Sequence, residues 1–222
     1  MKKNSEFRIQ NSGVRFRTMA LSHTPINLIA YENLEIERIT NMTSFESNKS
    51  NAVEVDNIRF ETLVPQQRLI IPLKKENITN FVQFGLRITN FSSNPYSFKL
   101  YGLKPEVRNS QGRLLKRIYQ TNRTVGLDES HFFIVLPGES LTGFVDGELR
   151  WYLHNNELVM QGQDNIGGYW YFHNLSLGKY GISFAYRSPT QSNLNKLFRP
   201  IVIENLWAGK VTTPLVEFCL VN

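Results

Sequence analysis

One cysteine, Cys219, stands in 222 residues, which rules out an intramolecular disulfide and any cysteine cluster for a metal. No apolar run approaches the roughly 18 residues that a membrane helix needs, so membrane insertion is not expected. The four histidines, His23, His131, His154 and His173, show no His-x-x-x-His or His-Glu-x-x-His spacing that would converge on a metal ion. The chain has no Gly-x-Ser-x-Gly, no phosphate-cradling glycine loop and no dinucleotide fingerprint. No cofactor is implied and no catalytic activity is expected. The basic start, Met1-Lys-Lys-Asn-Ser-Glu, leads into no apolar segment or small-residue cleavage site, so a secretory signal is not recognised and a cytoplasmic location is expected. On that reading the Asn-x-Ser/Thr triplets at Asn41, Asn48, Asn77, Asn90, Asn122 and Asn174 are coincidences of an Asn- and Ser-rich composition.

Charge of one sign is also scarce outside a single region. The net charge is +6, yet Lys2, Lys3, Arg8, Arg15 and Arg17 face only Glu6 in residues 1–24. Most of the surplus therefore sits in a tail without apolar periodicity, expected to be disordered, and nucleic acid is not the expected partner. Residues 25–57 read as an N-terminal extension that ends in a polar linker, Thr43 to Asn57. Residues 58–222 read as the folded domain.

What the chain does have is short β-rich runs separated by turn residues at nearly regular intervals. In the clearest of them, Val82, Phe84, Leu86 and Ile88 alternate with Gln83, Gly85, Arg87 and Thr89, the period-2 pattern of a strand buried on one face. Further strands are expected over Ile58–Thr62, Arg68–Leu73, Tyr96–Tyr101, Phe132–Leu136, Ser140–Val145, Leu149–Leu153, Gly168–Phe172, Tyr180–Tyr186 and Pro214–Leu220. A pair is expected to flank Asn109-Ser-Gln-Gly112. That tetrapeptide suits a type I turn, and Leu136-Pro-Gly-Glu139 suits a type II turn with Gly138 at positive φ. Tyr180, after a Leu-Gly-Lys turn, is placed to bond nearby backbone through its hydroxyl, as in a tyrosine corner. By alternation Cys219 shares a face with Glu217, and it reads as small filler near a strand edge. Nothing resembles a βαβ crossover. The fold class is all-β, an antiparallel β-sandwich.

The segments Gly85-Leu-Arg-Ile-Thr-Asn90, Pro95-Tyr-Ser-Phe98, Pro137-Gly-Glu-Ser140, Gly167-Gly-Tyr-Trp170, Gly178-Lys-Tyr180 and Trp207-Ala-Gly209 with Val216-Glu-Phe218 resemble an uncharacterised family of bacterial immunoglobulin-like sandwich proteins. A looser similarity is to the intracellular proteinase inhibitor-like domain. The resemblance implies an immunoglobulin-like sandwich over roughly Ile58 to Leu220, and its second member implies an inhibitory loop. No inhibitory residue carries over, because no matching reactive motif is present.

Three features compete as functional sites. Asp128-Glu-Ser-His131 sets acid, hydroxyl and imidazole side by side, but adjacent residues of a strand alternate faces and do not converge as a triad must. The aromatics Trp151, Tyr169 and Trp170 are the candidate binding surface for a partner or, as a stacking platform, for carbohydrate. The segment Lys104–Arg123 carries six basic residues against Glu106 alone, and Arg113, Lys116 and Arg117 are its candidate contacts for an acidic partner. The stretches Thr121–Ser130, His154–Gly167 and Arg187–Leu206 read as long loops, where recognition on a rigid sandwich concentrates. The function expected is a non-catalytic protein-interaction module of undetermined oligomeric state. A protease inhibitor-like protein and a carbohydrate-binding module are the alternatives.

Overall fold

The computed structural model describes residues 50–121, 127–164, 167–195, 197 and 200–222, all within one compact unit, Glu46–Asn222. The basic tail and most of the N-terminal extension lie outside the described residues. In chain order the strands are β1 (Ala52–Val55), β2 (Ile58–Leu63), β3 (Arg68–Ile70), β4 (Thr79–Asn90), β5 (Tyr96–Lys99), β6 (Pro105–Asn109) and β7 (Arg117–Thr121). They continue with β8 (Phe132–Val135), β9 (Ser140–Tyr152), β10 (Glu157–Gln163), β11 (Gly168–Leu175), β12 (Gly178–Arg187), β13 (Lys210–Thr212) and β14 (Val216–Val221). The one α-helix among the described residues is the single turn α1 (Gln191–Leu194).

The protein is an all-β sandwich. One sheet runs β1-β2-β4-β9-β10-β11-β7, and the other runs β13-β12-β14-β3 with β6 on the free side of β12. Pairing is antiparallel except between β14 and β3. β5 and β8 form a separate two-stranded ribbon. The expected alternation in β4 holds, with Val82, Phe84, Leu86 and Ile88 all buried and Arg87 exposed. Their partners across the interior come from the second sheet: Phe84 meets Phe218 at 5.3 Å and Phe60 meets Tyr186 at 5.4 Å between ring centroids. Trp207, on the long connection after β12, packs on Phe60 at 5.0 Å and stacks on Phe98 at 6.0 Å. A polar stitch crosses the same interior. The hydroxyls of buried Thr62 and Thr213 are hydrogen-bonded, and Thr213 Oγ1 accepts from the Phe184 N–H at 2.8 Å, so neither hydroxyl carries the cost of an unmade bond.

The turns follow their sequence. Gly112 N–H donates to the Asn109 carbonyl at 2.9 Å, and Glu139 N–H donates to the Leu136 carbonyl at 3.0 Å. Gly138 takes φ of 81°, which a side chain at that position would resist. The Tyr180 hydroxyl donates to the Ser176 carbonyl and accepts from the Ser176 N–H, both at 3.0 Å, the backbone contact expected of it. Cys219 is half-buried on β14.

Several expectations are corrected. Ala52–Val55 is not linker but β1, paired in register with Val55 opposite Ile58, so the sheet begins before residue 58. Ser140–Val145 and Leu149–Leu153 are one strand, β9, that runs through Asp146-Gly147. His154–Gly167 is not a loop: it contains β10, which pairs with both β9 and β11. Finally, the arm after Gly112 follows β6 only as far as a bridge between Arg108 and Leu114. It then crosses to the other sheet, where β7 pairs with β11.

Candidate functional site

That crossing of the chain from one sheet to the other builds the first of two surface features. A concavity of about 180 Å³ opens beside β6, β7 and β12, with Lys99, Lys104, Glu106, Arg117, Tyr186 and Arg187 among its lining residues. Four cations thus share a small space with one lining carboxylate. Arg117 Nη1 donates to the Pro105 carbonyl at 2.8 Å, which fixes the guanidinium across the gap between sheets. The Lys104 ammonium sits 3.3 Å from the ring centroid of Tyr119, a cation–π contact. The Tyr119 hydroxyl in turn donates to the carboxylate of Asp164. Asp164 is only 2% exposed and also accepts from the Gly168 N–H at 2.8 Å, so a buried anion underlies the cations and ties the start of β11 to them. Burial holds the Lys99 ammonium below the usual lysine range, with the Asp164 charge opposing the shift. Burial pushes the Tyr186 phenol upward, so it stays protonated. Its oxygen accepts from the Lys99 N–H at 3.1 Å.

The second feature is apolar and lies at the edge of the other sheet. β3 ends its sheet and, among the described residues, pairs only with β14. An open concavity of about 470 Å³ is lined there by Gln66, Arg68, Leu69, Ile70, Asn80 and Phe81. Ile70 and Phe81 are each 59% exposed, and Leu73 and Ile78 on the connection between their strands are exposed as well. The place is structured: Asn80 Nδ2 donates to the Ile70 carbonyl at 2.9 Å, and Ile71 N–H donates to the Val221 carbonyl at 2.7 Å.

The residues singled out from sequence are dispersed. Trp170, expected on a binding surface, is fully buried and meets Phe172 in the core, because alternation along β11 turns it inward. Tyr169, its neighbour, faces out. Trp151 is half-buried, with its indole N–H donating to the Pro72 carbonyl at 3.0 Å and the Lys74 ammonium over its ring. The three rings therefore form no common platform. Arg113 and Lys116 are exposed on the hairpin arm. Of the basic candidates Arg117 alone lines the concavity. Lys99 and Arg187 were missed: Lys99 lies on β5, just before the basic run, and meets β12 through its N–H bond to the Tyr186 hydroxyl, while Arg187 is distant in sequence and reaches the run because β12 pairs with β6.

Asp128-Glu-Ser-His131 forms one turn of 3-10 helix. Asp128 Oδ1 accepts from the Ser130 N–H at 2.9 Å and from the Ser130 hydroxyl at 2.6 Å, and these bonds hold its carboxyl below the usual range. The serine proton is thus directed at the carboxylate, not at the imidazole, which is a capping arrangement and not a nucleophile with its base. Among the described residues no group of three His, Cys, Asp or Glu is placed to hold a metal ion, and no helix is long and apolar enough to cross a membrane. The stretch Arg187–Leu206 carries α1 in its first part.

No family model and no curated protein matches this chain. The functional reading rests on the two surfaces.

Proposed function

We propose that this chain is a non-catalytic protein-interaction module on an immunoglobulin-like sandwich, acting in the cytoplasm and docking its partner on the apolar edge at β3 and β4. The observation that carries this reading is the grouping of exposed Ile70 and Phe81 around one concavity rimmed by Gln66, Arg68 and Asn80. Single exposed apolar side chains are ordinary, but adjacent ones on rigid strands around a hollow, with a polar rim, have the anatomy of a contact surface. Phe81 sits beside buried Val82 on the longest strand pairing among the described residues, so its position is set by the scaffold and little conformational entropy is lost on binding. With Trp170 in the core, the sugar-binding alternative keeps only Tyr169 and half-buried Trp151 to stack on.

A native pull-down from the source cell with mass spectrometry, run in parallel on the wild type and on Phe81→Asp, tests the proposal. A partner retained by the wild type and by Leu177→Asp, another exposed leucine, but lost with Phe81→Asp is the expected result. A partner retained equally by all three proteins would refute this surface.

A further inference from the structure

The basic concavity lies on different residues from the apolar edge and stands whether or not that edge docks a protein. We infer that it is a binding site for a small phosphate monoester, held by Arg117, Arg187 and Lys99. Charge is the first argument. Lys104 and Asp164 are both engaged with Tyr119; on the rest of the lining Lys99, Arg117 and Arg187 face the single carboxylate of Glu106, a surplus of about two positive charges, the complement of a phosphate monoester at neutral pH. No carboxylate among the described residues lies within 4.0 Å of Lys99, Arg117 or Arg187. For Lys99 that is costly, since it is half-buried and in a partly desolvated place where an ammonium ordinarily gains a partner.

Preorganisation is the second argument. Arg117 is clamped through one nitrogen to Pro105, leaving the rest of its planar fork for an oxyanion, the geometry that favours arginine at phosphate sites. The Tyr186 hydroxyl on the lining remains a neutral hydrogen-bonding group. Volume is the third argument. About 180 Å³ is several times the roughly 30 Å³ share of a water molecule, which suits a phosphate with a few attached heavy atoms. A nucleic-acid strand instead needs cations and stacking rings tracking successive phosphates. Arg113, which would extend such a track, turns toward Gln111.

The test is calorimetric titration with glycerol 3-phosphate, with glycerol and inorganic phosphate as companion probes, at ionic strength fixed with chloride. Saturable one-to-one binding of glycerol 3-phosphate, weaker binding of inorganic phosphate and none of glycerol is expected. Arg117→Gln and Arg187→Gln should each weaken binding by about tenfold, the loss of one charged hydrogen bond, while Arg113→Gln changes it less than about twofold. Arg187 is exposed, so Arg187→Gln decides the matter should Arg117→Gln fail to fold. The inference is overturned if glycerol 3-phosphate does not bind, if Arg113→Gln weakens it as much as Arg187→Gln, or if a thymidine oligonucleotide displaces it at a lower phosphate concentration.

Discussion

Trp170 on β11 lies against its own cross-strand partner, Gly162 on β10: a methyl group added at Gly162 would fall 2.3 Å from the indole ring. Gly147, the neighbour of Gly162 on β9, leaves room for the same ring, with 2.9 Å to the nearest indole carbon. Two glycines on adjacent strands thus form the floor on which the largest fully buried side chain rests. Trp170→Ala should cost about 3–5 kcal/mol through lost burial and a cavity. Gly162→Ala should also destabilise, by about 1–3 kcal/mol through overpacking. Denaturant unfolding of the two variants measures both, and a Trp170→Ala protein as stable as wild type would contradict the placement of the ring.

Leu86 and Arg87 on β4 separate the two faces of the large sheet. Leu86 is buried in the core, whereas Arg87 reaches across to Glu61 at 3.5 Å on the outer face. Leu86→Ala should cost about 2–5 kcal/mol, and Arg87→Ala at most about 1 kcal/mol, as for exposed ion pairs. Reversed costs would mean that the strand is shifted by one residue, which exchanges its faces.

How far these features could be read from the sequence depended on alternation. β4 has it, and its burial was legible to the residue. β10 does not, since Leu158, Val159 and Met160 are all buried and the register with β11 shifts between Leu158 and Met160. With Asn155-Asn156 before it and Gly162 within it, the segment has the composition of a loop. β1 and β13, four and three residues long, are too short to show an alternation of their own. The surface was less legible than the core. Trp170 was misplaced because an aromatic run announces a strand without saying which member faces in. The concavity was half visible: Arg117 belongs to a basic run, but Arg187 joins it only through the pairing of β12 with β6, distant in sequence, and Lys99 faces it from β5, ahead of the run.

Lys99 makes stability depend on pH with a definite sign. Its folded pKa lies below its unfolded value because burial disfavours the ammonium. The unfolded chain therefore binds more protons between the two values, and stability rises with pH across that window. The penalty is fully present below the folded value and is lost as pH rises to the unfolded one. Lys99→Met should raise the melting temperature at pH 7, and its advantage should shrink as pH approaches the unfolded lysine value near 10.5. A difference between the two proteins that does not change with pH would remove the burial argument for Lys99.

The central claim, that the β3–β4 edge is a protein-docking surface, is tested most directly by photo-crosslinking from position 81. With a photoreactive phenylalanine analogue replacing Phe81, illumination in the source cell should yield a discrete adduct containing one other protein. The same analogue at Leu177 should yield none. Adducts at both positions, or none at position 81 while the protein remains folded, would contradict the assignment of this edge as the contact surface.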